Sequence, residues 1–144
     1  MDMKKLILIL LFAFTAGVSA YAQCGKKVFI TANKTEYPDP NGNVERSVDE
    51  FSTVVFDDKE ISMTWGDEHN AKGPIKSVTC EWKIPFKQGK TVLKASVGGG
   101  SEGEPKNVTI TIEGKEGKIS FIATVDDQPD RKIQLIVDKF EEKK

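Results

Sequence analysis

From Ile61 onward the chain alternates apolar and polar residues in short runs separated by turn-forming clusters. Ile61, Met63 and Trp65 fall on one face of a strand, with Ser62 and Thr64 on the other. Val78, Cys80, Trp82 and Ile84 alternate with Thr79, Glu81, Lys83 and Pro85, a run that extends toward Phe86 and is the most regular in the chain. Residues 87–90 supply a turn, after which Leu93, Ala95 and Val97 share a face, so the two runs read as a hairpin. Past the glycine-rich stretch 98–105, Val108, Ile110 and Ile112 repeat the period. Ile119, Phe121, Ala123 and Val125 do so again after the turn residues 114–117, which predicts a tight hairpin. Residues 126–130 turn the chain into a last strand over 132–140, with Ile133, Leu135 and Val137 on one face. Ile136 and Phe140 make its other side apolar too, which points to partial covering.

The earlier part is less regular. Residues 27–32 predict a first strand, and 35–44, with Pro38 and Pro40, predict a loop. Ser47 and Glu50 have the spacing of a helix capping box. The β-branched and aromatic run 51–56 that follows favours a strand instead. Residues 57–60 then turn the chain toward Ile61. These signals amount to an all-β domain of about eight strands without a long helix. Short connections favour an antiparallel meander, either a small barrel or a two-sheet sandwich. An immunoglobulin-like arrangement fits less well, because Trp82 lies only two residues after Cys80.

The first 22 residues belong to a different class. Lys4 and Lys5 precede an apolar core over 6–14, and the segment ends on Ala20-Tyr21-Ala22. A basic start, a short apolar core and small residues at the end are the features of a cleavable export signal, and the core is short for a membrane span of about 20 residues. The expectation is therefore a signal peptide over 1–22 and a single all-β domain over 23–144, periplasmic or secreted, with no transmembrane segment once the signal is removed. An alternative destination is lipoprotein attachment through Cys24, although Gln23 is large and polar where that pathway takes a small residue.

Export changes the reading of the two cysteines. Cys24 opens the domain and Cys80 lies in the most regular strand, so an oxidising compartment makes a Cys24–Cys80 disulfide the expected pairing. Charge narrows the partners. Loss of Asp2, Lys4 and Lys5 moves the formal net charge from -1 to -2, and Arg46 and Arg131 are the only arginines. No dense one-signed patch marks a nucleic-acid surface.

Candidate chemistry is sparse. His69 is the only histidine, so a conventional zinc cluster is not expected, and Asp67-Glu68-His69 reads as a polar loop. No strand-to-helix nucleophile elbow surrounds a serine. Asp57-Asp58 and Asp126-Asp127 occupy turn positions, where carboxylates bind local backbone amides more often than they form a glycosidic acid and base pair. Asp39, Asn41, Asn43, Glu45 and Glu50 repeat the offsets of a calcium loop, but Val44 stands where the loop needs glycine. Residues 98–100 lack the lysine and hydroxyl of a phosphate loop, and no cofactor is expected. Asn33-Lys34-Thr35 and Asn107-Val108-Thr109 match the minimal glycosylation sequence, which acts only in a host that uses it.

These exclusions leave a noncatalytic ligand-binding or accessory domain, its partner a small molecule or a protein that the sequence does not name. A protein-interaction or envelope-structural domain ranks second and a small hydrolase third. The discriminating feature is a continuous cavity lined by Trp65 or Trp82 with a few convergent polar groups. Recognition is expected in the loops over 66–74 and 98–105, whereas the periodicity of Trp65 and Trp82 places both in the core.

Overall fold

A computed structural model describes residues 24–66, 69–98 and 104–143. The export signal expected over 1–22, Asp67-Glu68 and most of the glycine-rich stretch lie outside the described residues. Eight strands follow one another: β1 (Val28–Pro38), β2 (Val44–Phe56), β3 (Glu60–Trp65), β4 (His69–Ile84), β5 (Gln88–Val97), β6 (Lys106–Lys115), β7 (Lys118–Val125) and β8 (Gln128–Glu142). Each pairs antiparallel with its neighbour, and β8 closes onto β1. The fold is thus a closed meander barrel rather than a sandwich, and closure leaves no full-length edge strand.

The alternation read from the sequence becomes inside against outside. Leu93, Ile110, Ile112 and Phe121 are buried in the core, while Lys94, Thr109, Thr111 and Glu113 occupy the opposite phase of the same strands. The β6–β7 hairpin turns through Glu116 and Gly117, at φ 54° and 81°, the left-handed pair that a two-residue hairpin turn requires.

Two of the register irregularities re-aim side chains on β1 and β8. The first strand does not stop at Ala32 but runs on to Pro38, so the expected loop is reduced to the β1–β2 connection. Ala32 and Thr35 are both buried, three positions apart, because the register slips around Asn33. The slip brings Thr35 to the inner face, which strict alternation would deny it. On β8 a second slip around Asp138 does the same for Phe140, which packs against the core although it lies three residues past Val137. Ile136 stays on the outer face and is 43% exposed.

One end of the barrel is filled. Trp82 is 3% exposed, and its Nε1–H donates to the Thr91 hydroxyl at 2.7 Å. Its ring lies against Gly89 and Gly114, which face each other across β5 and β6. A Cβ at Gly89 would come within 2.6 Å of the indole, and one at Gly114 within 2.7 Å. Phe140 packs on Trp82 at 5.4 Å between centroids, and Phe86 meets Phe140 edge-on at 5.0 Å. Phe86 holds φ 60° in the β4–β5 turn, so the Val78 to Ile84 alternation ends before it. Val78 and Ile84, expected beside Trp82 in the core, are 38% and 48% exposed, since β3 is too short to cover this half of β4.

Cys24 and Cys80 form a disulfide at this filled end, with their Cα atoms 6.0 Å apart. The Thr91 hydroxyl reaches the Cys80 sulfur at 3.6 Å, so disulfide, Thr91 and Trp82 make one connected group. In the β2–β3 turn, Asp57 accepts hydrogen bonds from the amides of Lys59 and Glu60 at 2.8 and 2.9 Å. Those bonds hold its carboxyl below the usual carboxylate range. The local backbone role expected for that acidic pair is observed at Asp57.

Replacing Trp82 by alanine removes the largest side chain of the filled end and the donor to the Thr91 hydroxyl, so the variant should lose about 3–5 kcal/mol in denaturant unfolding. A loss below 1 kcal/mol would show that the ring is not structural. Separately, a thiol assay on the denatured, nonreduced domain should find no free thiol. The Cys24→Ser/Cys80→Ser pair should lose up to about 4 kcal/mol, the chain-entropy value for a loop of this length.

Candidate functional site

The opposite end of the barrel is open. A cavity of about 260 Å³ enters there, walled by the upper halves of β1–β3 and β5–β8 and the start of β4. Val97, Val108, Phe121, Ala123, Val125 and Leu135 make an apolar wall, and Val54, Met63 and Ala71 contribute from the other side. The alternation read from the sequence places most of these inward, Val54 and Ala71 excepted, so the cavity is the continuation of the core where no side chain long enough to fill it has been supplied.

The β1–β2 wall is different. Thr35 and Ser52 line the cavity, each 2% exposed, and neither hydroxyl has a hydrogen-bond partner among the described residues. Ser52 stands opposite Ala32 on β1 and Trp65 on β3, one inward position above Val54. Thr35 reaches the cavity only because of the slip at Asn33, and its ladder partner on β8 is Leu135. Thr31 is a third buried hydroxyl without a partner, but it alternates with Ile30 and Ala32 and belongs to the outer phase. Burying a hydroxyl unpaired costs about 1–3 kcal/mol. Both oxygens are themselves sealed from solvent, so the two groups are a burial cost carried by this wall rather than contacts that the cavity offers.

Polar and aromatic groups ring the mouth. Tyr37, Glu50, Trp65, Asn70, Glu104 and Lys106 all line it. Trp65 is half-buried and stacks on His69 at 5.7 Å with 9° between the planes. Arg46 lies over Tyr37 at 4.1 Å from the ring centroid, which holds that ring in place from the β2 side. Gly66, at φ 63°, makes the turn beside this group. A Cβ there would sit 3.6 Å from a Glu50 carboxylate oxygen and 3.9 Å from the His69 ring. Glu50 is thus held close to the Trp65–His69 stack. Gly98, at the start of the glycine-rich stretch, pairs its backbone with Lys72 at 2.9 and 3.1 Å and so fixes the cavity rim between β4 and β5.

Several expectations find their places here. Of the two nominated segments, Asn70 and Ala71 from 66–74 and Gly98 and Glu104 from 98–105 line the cavity, although β4 begins at His69 and much of the first segment is strand. Trp82 belongs to the filled end and takes no part. Trp65 shares the inward phase of Ile61 and Met63, as its period implied, yet it forms cavity lining rather than sealed core. The sequence reading did not single out Thr35, Tyr37, Ser52 or Lys106. The available signal for Ser52 was a hydroxyl in phase with Val54 and Phe56, whereas Thr35 needed knowledge of the bulge.

The offsets resembling a calcium loop resolve into a hairpin connection. Asp39 accepts from the amides of Asn41 and Asn43 at 2.9 and 2.8 Å, so its carboxylate holds the turn. Among the described residues no group of three or more His, Cys, Asp or Glu side chains converges as metal ligands. No family model, curated protein or solved structure matches the chain.

If the two cavity hydroxyls are unpaired in the free protein, removing them relieves a cost. Ser52→Ala and Thr35→Val should each raise the unfolding free energy, by about 1 kcal/mol, measured by urea denaturation. Destabilisation of that size by both variants would instead show that the hydroxyls are well paired within the folded protein.

Proposed function

We propose that the protein is a noncatalytic binding domain that holds a small, largely apolar molecule in the open end of its barrel. The observation that carries this reading is an open, apolar cavity lined also by Tyr37, Glu50, Trp65 and Lys106. Most small-molecule sites combine an apolar lining with a few placed polar groups in this way. A purely structural barrel would gain stability from a larger side chain at Ala123 or Ala71, both of which border the cavity.

The mouth favours binding over bond-making. Glu50 and Lys106 border the opening, while the deeper wall offers mainly hydrocarbon. The outer face carries Lys94, Thr109, Thr111 and Glu113, with the apolar phase turned inward, the reverse of a lipid-facing barrel. No helix among the described residues is long and apolar enough to cross a membrane.

The same reading places the domain outside the cytoplasm. The basic and apolar start of the sequence supports export, and the Cys24–Cys80 bond suits an oxidising compartment. That bond also engages the Cys24 sulfur, the atom that lipid attachment would require, so a periplasmic or secreted domain is favoured over a lipoprotein.

The test uses N-phenyl-1-naphthylamine, a dye whose emission rises in apolar surroundings. The wild-type domain should bind it saturably with one site. Ala123→Phe, which projects a ring into the cavity, should weaken binding at least about tenfold while retaining a cooperative thermal transition. Equal binding by the folded variant would put the dye elsewhere and remove the cavity as the site.

A further inference from the structure

Resting on that reading, we infer that the ligand is an organic cation, with its apolar body inside the barrel and an ammonium group at the mouth against Glu50 and Trp65. Glu50 lies two residues before Ser52 on β2, in the phase that carries Ser52, Val54 and Phe56 inward, so the strand sets a carboxylate on the cavity rim. It is half-buried, and no cationic side chain among the described residues pairs with it; the ion pair found there is Lys34–Asp49. A carboxylate partly removed from water and lacking a counter-charge attracts an incoming cation more strongly than a fully solvated one does.

Its surroundings suit a weakly hydrated cation. The Glu50 carboxylate lies by Gly66, close to the His69 ring that stacks on Trp65. Trp65 and Tyr37 line the same side of the mouth from β3 and β1. An indole attracts ammonium groups to its π-surface, and this rim already holds one contact of that kind, Arg46 over Tyr37. An alkylammonium entering here exchanges part of its hydration for a ring and a carboxylate together.

Burial as well as count sets the sign of the mouth. The charged residues lining the cavity are Glu50, Glu104 and Lys106, one positive against two negative. Glu104 and Lys106 are both exposed, where water and salt screen them, and they stand two residues apart beside the start of β6, so each offsets the other. Strands β3 to β5 separate that side of the ring from Glu50 on β2. Size follows from volume. A cavity of about 150 Å³ accepts benzene, so one of about 260 Å³ takes roughly ten non-hydrogen atoms, a fused bicyclic skeleton. The probe pair is therefore 2-naphthyltrimethylammonium and naphthalene-2-sulfonate, which share that skeleton and carry fixed charges of opposite sign.

Displacement of the naphthylamine dye from the wild-type domain should show the ammonium compound binding at least about tenfold more tightly than the sulfonate. In Glu50→Gln that preference should fall to within about threefold, while the affinity for the neutral dye stays within about twofold. Glu113→Gln, which removes a carboxylate from the outer face, should leave the preference unchanged. Raising salt from about 0.05 to about 0.5 M should weaken the ammonium compound several-fold and spare the dye, a readout that needs no variant. Thermal unfolding of the same samples confirms that the fold is retained. Equal affinities or a preference for the sulfonate in the wild type, an unchanged preference in folded Glu50→Gln, an equal loss in Glu113→Gln, or ammonium binding insensitive to salt would each overturn the inference and leave the cavity as a binding site. Displacement by neither compound, with dye still bound in an Ala123-sensitive manner, would likewise reject this ligand class. Failure of the dye itself to bind would reject the underlying assignment of the cavity.

Discussion

The barrel is organised by how its interior is filled at one end. Trp82 can lie flat across that end only because Gly89 and Gly114 present bare backbone on the two adjoining strands, where a methyl group would collide with the indole. The ring is then fixed by its bond to Thr91 and by Phe140, and the disulfide joins the N-terminal segment to the same strand. Burial of an aromatic side chain of this size is a dominant local contribution to stability. The other end has no comparable plug. Ala71, Ala123 and Val125 leave the inner wall short of the axis, and the remaining space is the cavity.

Two register slips divide the work between the ends. Each inserts one residue, at Asn33 on β1 and at Asp138 on β8, and each turns a side chain from the outer to the inner phase. At Asp138 the side chain gained is Phe140, which completes the aromatic packing around Trp82. At Asn33 it is Thr35, which buries an unpaired hydroxyl beside the open cavity. The same local irregularity thus strengthens packing in one place and introduces an unpaired polar group in the other. Bulges commonly re-aim side chains beside functional sites in this manner.

Much of the fold was legible because most strands bury one face only. Period-two alternation over Ile110, Ile112, Phe121 and Ala123 identifies both the strand and its inner side, and short turns make the meander the economical connection. Trp82 and the Cys24–Cys80 pair were also readable, from phase and from cysteine context. Alternation cannot reveal where it is interrupted. Thr35 follows Asn33 and Lys34 in a polar segment that leads to Pro38, so local composition suggested a loop, while pairing on both sides with β2 and β8 makes it strand. The cavity was less legible still. A side chain in the inner phase reads as core whether or not its opposite wall comes close enough to touch it, as Trp65 shows.

That distinction also explains how a small domain can retain an open interior. Closure by β8 onto β1 joins the strands into one ring, so most of the backbone around the cavity is held in ladder pairs, although the far half of β4 pairs only with β5. The cost is confined to missing dispersion contacts and two buried hydroxyls, while the disulfide and aromatic group stabilise the distant end independently. Ser52 and Thr35 depart from the apolar rule in a wall where valine and alanine would fit the same phase. A departure that local packing does not explain is expected where function constrains sequence. Because these two positions lie on adjacent strands beside one space, the departure has a direction: it falls on the β1–β2 wall and leaves the facing β6–β7 wall apolar.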